Sequence, residues 1–415
     1  MKENEKNILI FSNNAFSKIN SNGRTLMNLL SKIPSKNLAQ FYISGIPDEK
    51  FCSKYFHVSD KDALNSFLHK HKKDISPLKI VNENEYKKPK KNLKNIILRD
   101  IVWQSLCWWN REFENFLKSF KPDIILLQAG DCAFMYAIAR KTAKECNAKL
   151  IMFNTESYVL KKRIYAGTSE KAFFHKIVMQ NLKYQYKLFM EKADFCIYNM
   201  EELENVYQKK YEHFGKSCSI YNSSELYNLP DNSNDTFSLL YCGNLGVGRD
   251  KPLDELAKIL YEVDAKAKFD IYGKFTDENI KNKVCSNKNV IYHGFVEYSE
   301  IPRLMSNASM VIHCENDNRI DNLKYAFSTK IADCIVSTRP FLVYASKEYP
   351  FVKYLENNKC AHIASNNNEL KEILKKCITD KDYRNKYEKN AREIAIRNHD
   401  LEKNSIKFKE IIENL

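Results

Sequence analysis

The sequence predicts an α/β protein made of two domains, each built on a parallel sheet. Three observations carry that expectation. Short apolar runs bounded by turn residues alternate with helical patterns along the chain, the signature of parallel strands joined by helical crossovers. One polar, turn-forming stretch at 222–235 (NSSELYNLPDNSND) interrupts the alternation, which then restarts. The length, 415 residues, exceeds one ordinary core and suits two domains of about 150 to 200 residues each.

The first strand is read at 7–12 (NILIFS). A polar loop over 13–23 follows, then a helical pattern over 25–33 with Leu26, Leu29, Leu30 and Ile33 on one face. Pro122 and Asp123 introduce a second apolar run at 124–127, and further strands are read at 149–153 (KLIMF) and 193–198. Behind the polar stretch, strands are expected at 237–242, 269–272, 290–292, 310–313 and 341–344, with a charged helical tail over 380–415. The expected domains are 1–222 and 236–390, followed by a helical tail at 391–415. In sheets of this kind ligands lie at the carboxyl ends of the strands.

Composition narrows the function classes. Twelve cysteines include no C-x-x-C pair and no neighbouring His doublet, so neither a zinc site nor a disulfide framework is read, and a reducing cytosol is expected. Apolar residues 8–11 are too few for a signal-peptide core, and the longest apolar run, 133–139, falls far short of the ~20 residues of a membrane helix. Asp60-Lys61-Asp62 and Asp380-Lys381-Asp382 fit a D-x-D metal pattern but precede helical patterns, where Asp is a favoured cap; no metal or cofactor is expected.

A formal charge of +14, from 66 basic and 52 acidic residues, suits nucleic acid, an anionic membrane or a phosphorylated substrate. No nucleic-acid motif accompanies it, so no nucleic-acid partner is expected. Lys87 to Lys91 (KKPKK), Lys94 and Arg99 lead into Trp103, Trp108 and Trp109, with Lys161, Lys162 and Arg163 extending the basic set. Basic residues beside aromatics suit peripheral contact with the inner face of a membrane. The alternative is that the tryptophans pack in the core.

Four segments have the composition of a phosphate-binding edge. Gly243, Asn244, Gly246, Gly248, Arg249 and Lys251 follow a strand and open a helix. Glycine lets backbone N–H groups approach an oxyanion, a helix N-terminus favours negative charge, and Arg and Lys supply fixed positive charge. Two further strands end in Gly273-Lys274 and in Gly294-Phe295-Val296, which places three glycine-closed strand ends along one sheet edge. The fourth segment holds Ser328, Thr329, Lys330 and Asp333, read as a capped helix start with Lys330 and Asp333 on one face. His293 and His313, in or beside apolar strands, are read as structural.

The series YCGNLGVGR, FDIYGK, NVIYHGFVEYSEIPRLMSNASMVIH and FSTKIADCIVSTRPFLVY resembles the donor half of the GT-B glycosyl transferases, group one. It is similar above all to bacterial members that build capsule or lipopolysaccharide. The first half, with Ser21-Asn22-Gly23-Arg24, KPDIILLQ, KLIMFNTESY and EKADFCIYNMEELENVY, fits more loosely.

The resemblance implies two Rossmann-like domains facing each other across a cleft, and a cytoplasmic enzyme. It further implies retaining, metal-independent transfer of a sugar from a nucleotide diphosphate-sugar to a glycan or lipid-linked acceptor. Gly243, Arg249 and Lys251 would cradle the donor diphosphate, Arg249 and Lys251 as catalytic groups; Asn244, Gly273 and Lys274 would line the donor site, and Phe295 and Val296 would hold the base. Ser328, Thr329 and Lys330 would reach phosphate or sugar, and Asp333 the ribose. Asn22, Gly23 and Arg24 would face the cleft, and Glu156 would contact acceptor or sugar. Asn244 stands where many relatives carry Arg, Thr338 where they carry Gly, and Tyr325 and Asp333 where they carry paired glutamates. A non-catalytic partner subunit and a nucleotide-sugar 2-epimerase are the competing readings.

Overall fold

The computed structural model describes residues 5–18, 21–69, 92–161, 172–212, 216–227, 236–246 and 248–415. Two compact units divide the chain, Met1–Ile220 with Ser405–Leu415, and Tyr221–Asn404. Val247, much of the polar stretch at 228–235, and the basic residues Lys87 to Lys91, Lys162 and Arg163 lie outside the described residues.

The first unit holds strands β1 (Ile8–Asn14), β2 (Leu38–Ser44), β3 (Lys54–His57), β4 (Ile124–Gln128), β5 (Lys149–Asn154), β6 (Phe195–Tyr198) and β7 (Ser217–Ser219). They form one sheet in the order β3-β2-β1-β4-β5-β6-β7, parallel throughout. Ile8 to Phe11 and Ile124 to Leu127 are buried without alternation, as strands covered on both faces require. Phe408 and Ile412, from the helix Leu401–Glu413, pack into this unit's core beside Ile8, Ile10 and Leu30.

Trp103 and Trp108 are fully buried, in contact with one another. Trp103 stacks on Phe134, and Trp108 meets Phe41 and Phe113. Trp109 is half-buried, with the Lys141 ammonium 4.8 Å from its ring centre. Trp103 and Trp108 are therefore core residues and take no part in a membrane-facing aromatic belt. Asp60 accepts from Arg99 Nε (2.7 Å) and Trp103 Nε1 (2.8 Å), while Asp62 accepts from the Ser59 hydroxyl (2.6 Å). Asp380 caps its helix through the Tyr383 N–H.

The second unit holds β8 (Ser238–Cys242), β9 (Lys268–Tyr272), β10 (Val290–Gly294), β11 (Met310–Cys314), β12 (Phe341–Tyr344) and β13 (His362–Ala364). Their order is β10-β9-β8-β11-β12-β13, again all parallel. Polar residues at the start of the expected linker are buried in this unit. Asn222 donates to the Phe327 carbonyl (2.6 Å), and Ser224 N–H donates to the His399 carbonyl (3.0 Å). Thr338 has φ +54, a left-handed conformation that strains a β-branched residue and that glycine adopts freely.

Burial pushes His313, His362 and His399, all in the second unit, down to about 4. The unfolded chain binds protons at these side chains from about pH 6.5, whereas the folded chain resists until near 4. Stability is therefore lost as pH falls through that window, by up to about 4 kcal/mol per pH unit for three protons. Thermal melts at pH 7 and pH 5 should show a marked fall in melting temperature; an unchanged one would contradict the burial of neutral imidazoles.

Candidate functional site

The carboxyl ends of β8, β9 and β10 are neighbours, and each is closed by a glycine. Gly243 N–H donates to the Tyr272 carbonyl and Gly273 N–H to the Gly294 carbonyl, both at 2.8 Å. These N–H groups extend the ladder, so the glycines do not serve by offering their own donors to an anion. Their role is close approach. At Gly273 (φ +152) an added Cβ would lie 1.9 Å from the Gly243 carbonyl oxygen; at Gly243 (φ +154) it would lie 1.7 Å from Lys330 Cε. Gly273 admits the Gly243 backbone, and Gly243 admits the Lys330 side chain across the end of β8.

Beside this crossing lies a buried charge cluster. Arg249, at the N-cap of the helix Asp250–Val263, is 8% exposed and forms an ion pair with Glu315, 7% exposed, one residue past β11. His313 Nε2 lies 3.2 Å from the same carboxylate oxygen. Strand alternation puts residues 313 and 315 on one side of the sheet edge. Burial would raise the Glu315 carboxyl, but Arg249 and then His313 hold it at about 2. Among the described residues, Arg249 Nε, Glu315 Oε2 and both ring nitrogens of His313 have no hydrogen-bond partner although buried. Buried polar atoms left in this state mark a place where a ligand can complete the bonding.

Lys330, in the first turn of the helix Thr329–Val336, joins the cluster from the other side. Burial and then Arg249 lower its ammonium to about 7. It makes no hydrogen bond or ion pair among the described residues, its Nζ lying 5.9 Å from the Tyr241 ring centre. Ser328 holds the N-cap position without a side-chain capping bond, so its hydroxyl is not used by the helix.

Other expected residues are placed differently. The Lys251 side chain is 58% exposed, with its ammonium 3.9 Å from Glu255, so the cation beside Arg249 is Lys330. Asn244 is exposed, yet its side-chain oxygen accepts from Gly246 N–H (2.8 Å) and its carbonyl from Tyr241 OH (2.8 Å), which shapes the loop. Lys274 lies over the exposed Phe295 ring at 4.8 Å, with Val296 half-buried next in the chain. Asp333 is buried, and its Oδ1 accepts from both Ser224 and Tyr298 (2.7 Å to the latter). The carboxylate expected at the ribose thus also ties three chain segments together.

In the first unit, Asn22, Gly23 and Arg24 belong to the first turn of the helix Ser21–Leu30, where a loop was expected. A Cβ on Gly23 would lie 2.5 Å from the Ala15 carbonyl oxygen, so this glycine too serves close packing. Glu156 forms an ion pair with the buried Lys161, which leaves it a neutralised carboxylate and not an unpaired base.

Sequence reasoning missed Glu315 and took His313 as merely structural. The available signal was an acid placed one residue past a fully apolar strand, in register with that histidine.

Residues 251–410 match the family model described as glycosyl transferase-like. No curated protein sequence matches the chain. Among solved structures, sucrose-phosphate synthase from Thermosynechococcus elongatus is similar at TM-score 0.66 and 11% identity, covering 99% of this chain and 98% of that one. HepE of Anabaena, solved in complex with UDP, gives TM-score 0.65 at 13% identity over 99% and 100%. WaaG, a glycosyltransferase involved in lipopolysaccharide biosynthesis, gives 0.57 at 16% over 98% and 99%. The class is thereby defined: the chain has the GT-B fold throughout. The glycosyl transferase-like match lies almost wholly in its second unit.

The glycine crossing generates a paired expectation. Gly243→Ala and Gly273→Ala should each cost about 1–3 kcal/mol in urea unfolding. Adding Lys330→Ala should relieve the first and leave the second, because only Gly273 faces backbone. Equal relief of both would refute the packing described.

Proposed function

We propose that this protein is a glycosyltransferase that moves a sugar from a nucleotide diphosphate-sugar to a glycan or lipid-linked acceptor during cell-surface polysaccharide synthesis. The observation that carries the reading is the buried Arg249–Glu315–His313 cluster, with Lys330 beside it, at strand ends closed by glycine. When the glycosidic bond to the diphosphate breaks, negative charge grows on the leaving oxygen. A buried guanidinium and a lysine fixed in advance stabilise that charge without reorganisation, and they supply the role a metal would otherwise fill.

The nucleotide is assigned as UDP, in keeping with HepE of Anabaena solved with UDP and with UDP-glucose. The surface-polysaccharide setting follows the family resemblance and the similarity to WaaG. Retention of configuration is part of the same reading. In it a leaving phosphate oxygen accepts the proton of the acceptor hydroxyl as the new C–O bond forms on the same face. A lipid-linked acceptor would draw the chain to the inner membrane face, a contact favoured by its +14 charge although Trp103 and Trp108 take no part.

A thermal-shift titration with UDP, GDP, CDP and ADP in EDTA tests this. UDP at 100 times its dissociation constant should add about 2.7 kcal/mol and raise the melting point by a few degrees. Arg249→Ala should abolish the shift. No shift with any nucleotide at millimolar concentration would overturn the reading.

A further inference from the structure

A polar pocket of about 310 Å³ lies at the opposite end of the second unit's sheet. Phe237 precedes β8, Ser309 precedes β11, Pro340 precedes β12, and Asp264 and Lys266 lie in the turn before β9. The pocket therefore opens at the amino ends of the strands, away from the glycine-closed carboxyl ends. Four cations line it, Lys266, Arg339, Lys381 and Arg384, against two acids, Asp264 and Glu388. Among the described residues, Lys266, Lys381 and Arg384 form no ion pair, although both acids share the pocket with them. Arg384 spends Nη1 on the Cys377 carbonyl (3.0 Å) and lies 5.8 Å from the Phe237 ring centre. Arg339 is 9% exposed, and its Nη2 donates to the Ser306 carbonyl (3.0 Å). Thr338, the residue before it, carries the strained φ of +54. Strain of this kind gathers at ligand clamps, where the surroundings hold a side chain in a required place. The same turn follows the helix Thr329–Val336, which carries Lys330 and Asp333.

We propose that this pocket is a second binding site, for a small hydroxylated phosphate ester of the sugar-phosphate class. Cations gathered in one concavity attract an anion, and guanidinium and ammonium groups are the side chains that hold phosphate oxygens. The two acids narrow the choice of ligand. A carboxylate accepts hydrogen bonds and donates none, so Asp264 and Glu388 would repel a bare phosphate but suit the hydroxyls of its ester. Asp264 is already fixed for this, since its Oδ1 accepts from the Lys266 N–H (2.9 Å) and so holds the turn that carries both charges. The volume admits a phosphate with a body of sugar size. None of these residues belongs to the Arg249–Glu315 cluster, so the site stands whether or not that cluster receives a diphosphate.

Calorimetric titration of the full chain with glucose 6-phosphate decides it, at low salt and about pH 8, above the second ionisation of the ester near pH 6. Saturable binding is expected in the wild type and equally in Arg249→Ala. Lys266 and Lys381 are exposed, so Lys266→Glu with Lys381→Glu should leave the fold intact, as a thermal melt would show. That double change should weaken the ester by about tenfold or more. Inorganic phosphate should bind about tenfold more weakly than the ester, and glucose should not bind. The proposal is overturned if glucose 6-phosphate fails to bind at millimolar concentration, or if the double lysine change leaves its affinity unaltered. Binding lost in Arg249→Ala would also overturn it, because the ester would then sit at the donor edge. Equal affinity for phosphate and ester would overturn the assignment of the ester, since the acids would have no hydroxyl to meet.

Discussion

The buried ion pair between Arg249 and Glu315 is the interaction on which the second unit's sheet edge depends. Removing one partner from such a pair typically costs about 3–5 kcal/mol, because the other charge is stranded away from water. Its geometry explains the local architecture. Arg249 must sit at the N-cap of the helix Asp250–Val263 for its guanidinium to reach past β8 to the end of β11. Gly248 precedes it at φ +84, a turn that a side chain would resist. His313, two residues earlier on the same side of the strand, approaches the same Glu315 oxygen to 3.2 Å.

A second constraint holds the helix that carries Lys330. The segment starting at Tyr221 reaches this helix at two points, through Asn222 on the Phe327 carbonyl and Ser224 on Asp333. The Phe327 ring stacks on His399, whose Nδ1 donates to the Asn222 carbonyl (2.8 Å) and whose Nε2 accepts from Tyr354 OH (2.9 Å). With both ring nitrogens engaged in this way, a neutral imidazole suffices, and burial keeps it neutral. The start of the helix Thr329–Val336 is thus fixed before any ligand arrives, which is what preorganised charge stabilisation requires.

Much of the fold was legible because its strands are short apolar runs with clear stops. The runs read at 149–153 and 237–242 correspond to β5 and β8, and three glycines marked one edge of one sheet. β2 escaped because Gln40 interrupts its apolar run; the amide is buried and bonded to the Ser12 hydroxyl (2.7 Å) and the Phe16 N–H (2.9 Å). β7 and β13 are three-residue edge strands, too short for a periodic signal. At the candidate site, residue types were legible but partnerships were not. Arg249 and Lys251 stood out as cations near glycines and Lys330 as part of a capped helix start, whereas Glu315 lies 66 residues from Arg249 and meets it only because β11 pairs with β8. Trp103 and Trp108 misled for a similar reason, since nothing in their spacing shows that Phe41 and Phe134 enclose them.

The central claim is that Arg249 receives the anion and that Glu315 acts only by holding Arg249. A double-mutant cycle on UDP affinity, with Arg249→Ala, Glu315→Gln and the pair together, tests it most directly. The account predicts that each single change weakens binding by about tenfold or more, roughly 1.4 kcal/mol, and that the double variant binds no more weakly than Arg249→Ala alone. Losses that add would contradict it, because Glu315 would then contribute to the ligand independently of the arginine it pairs with.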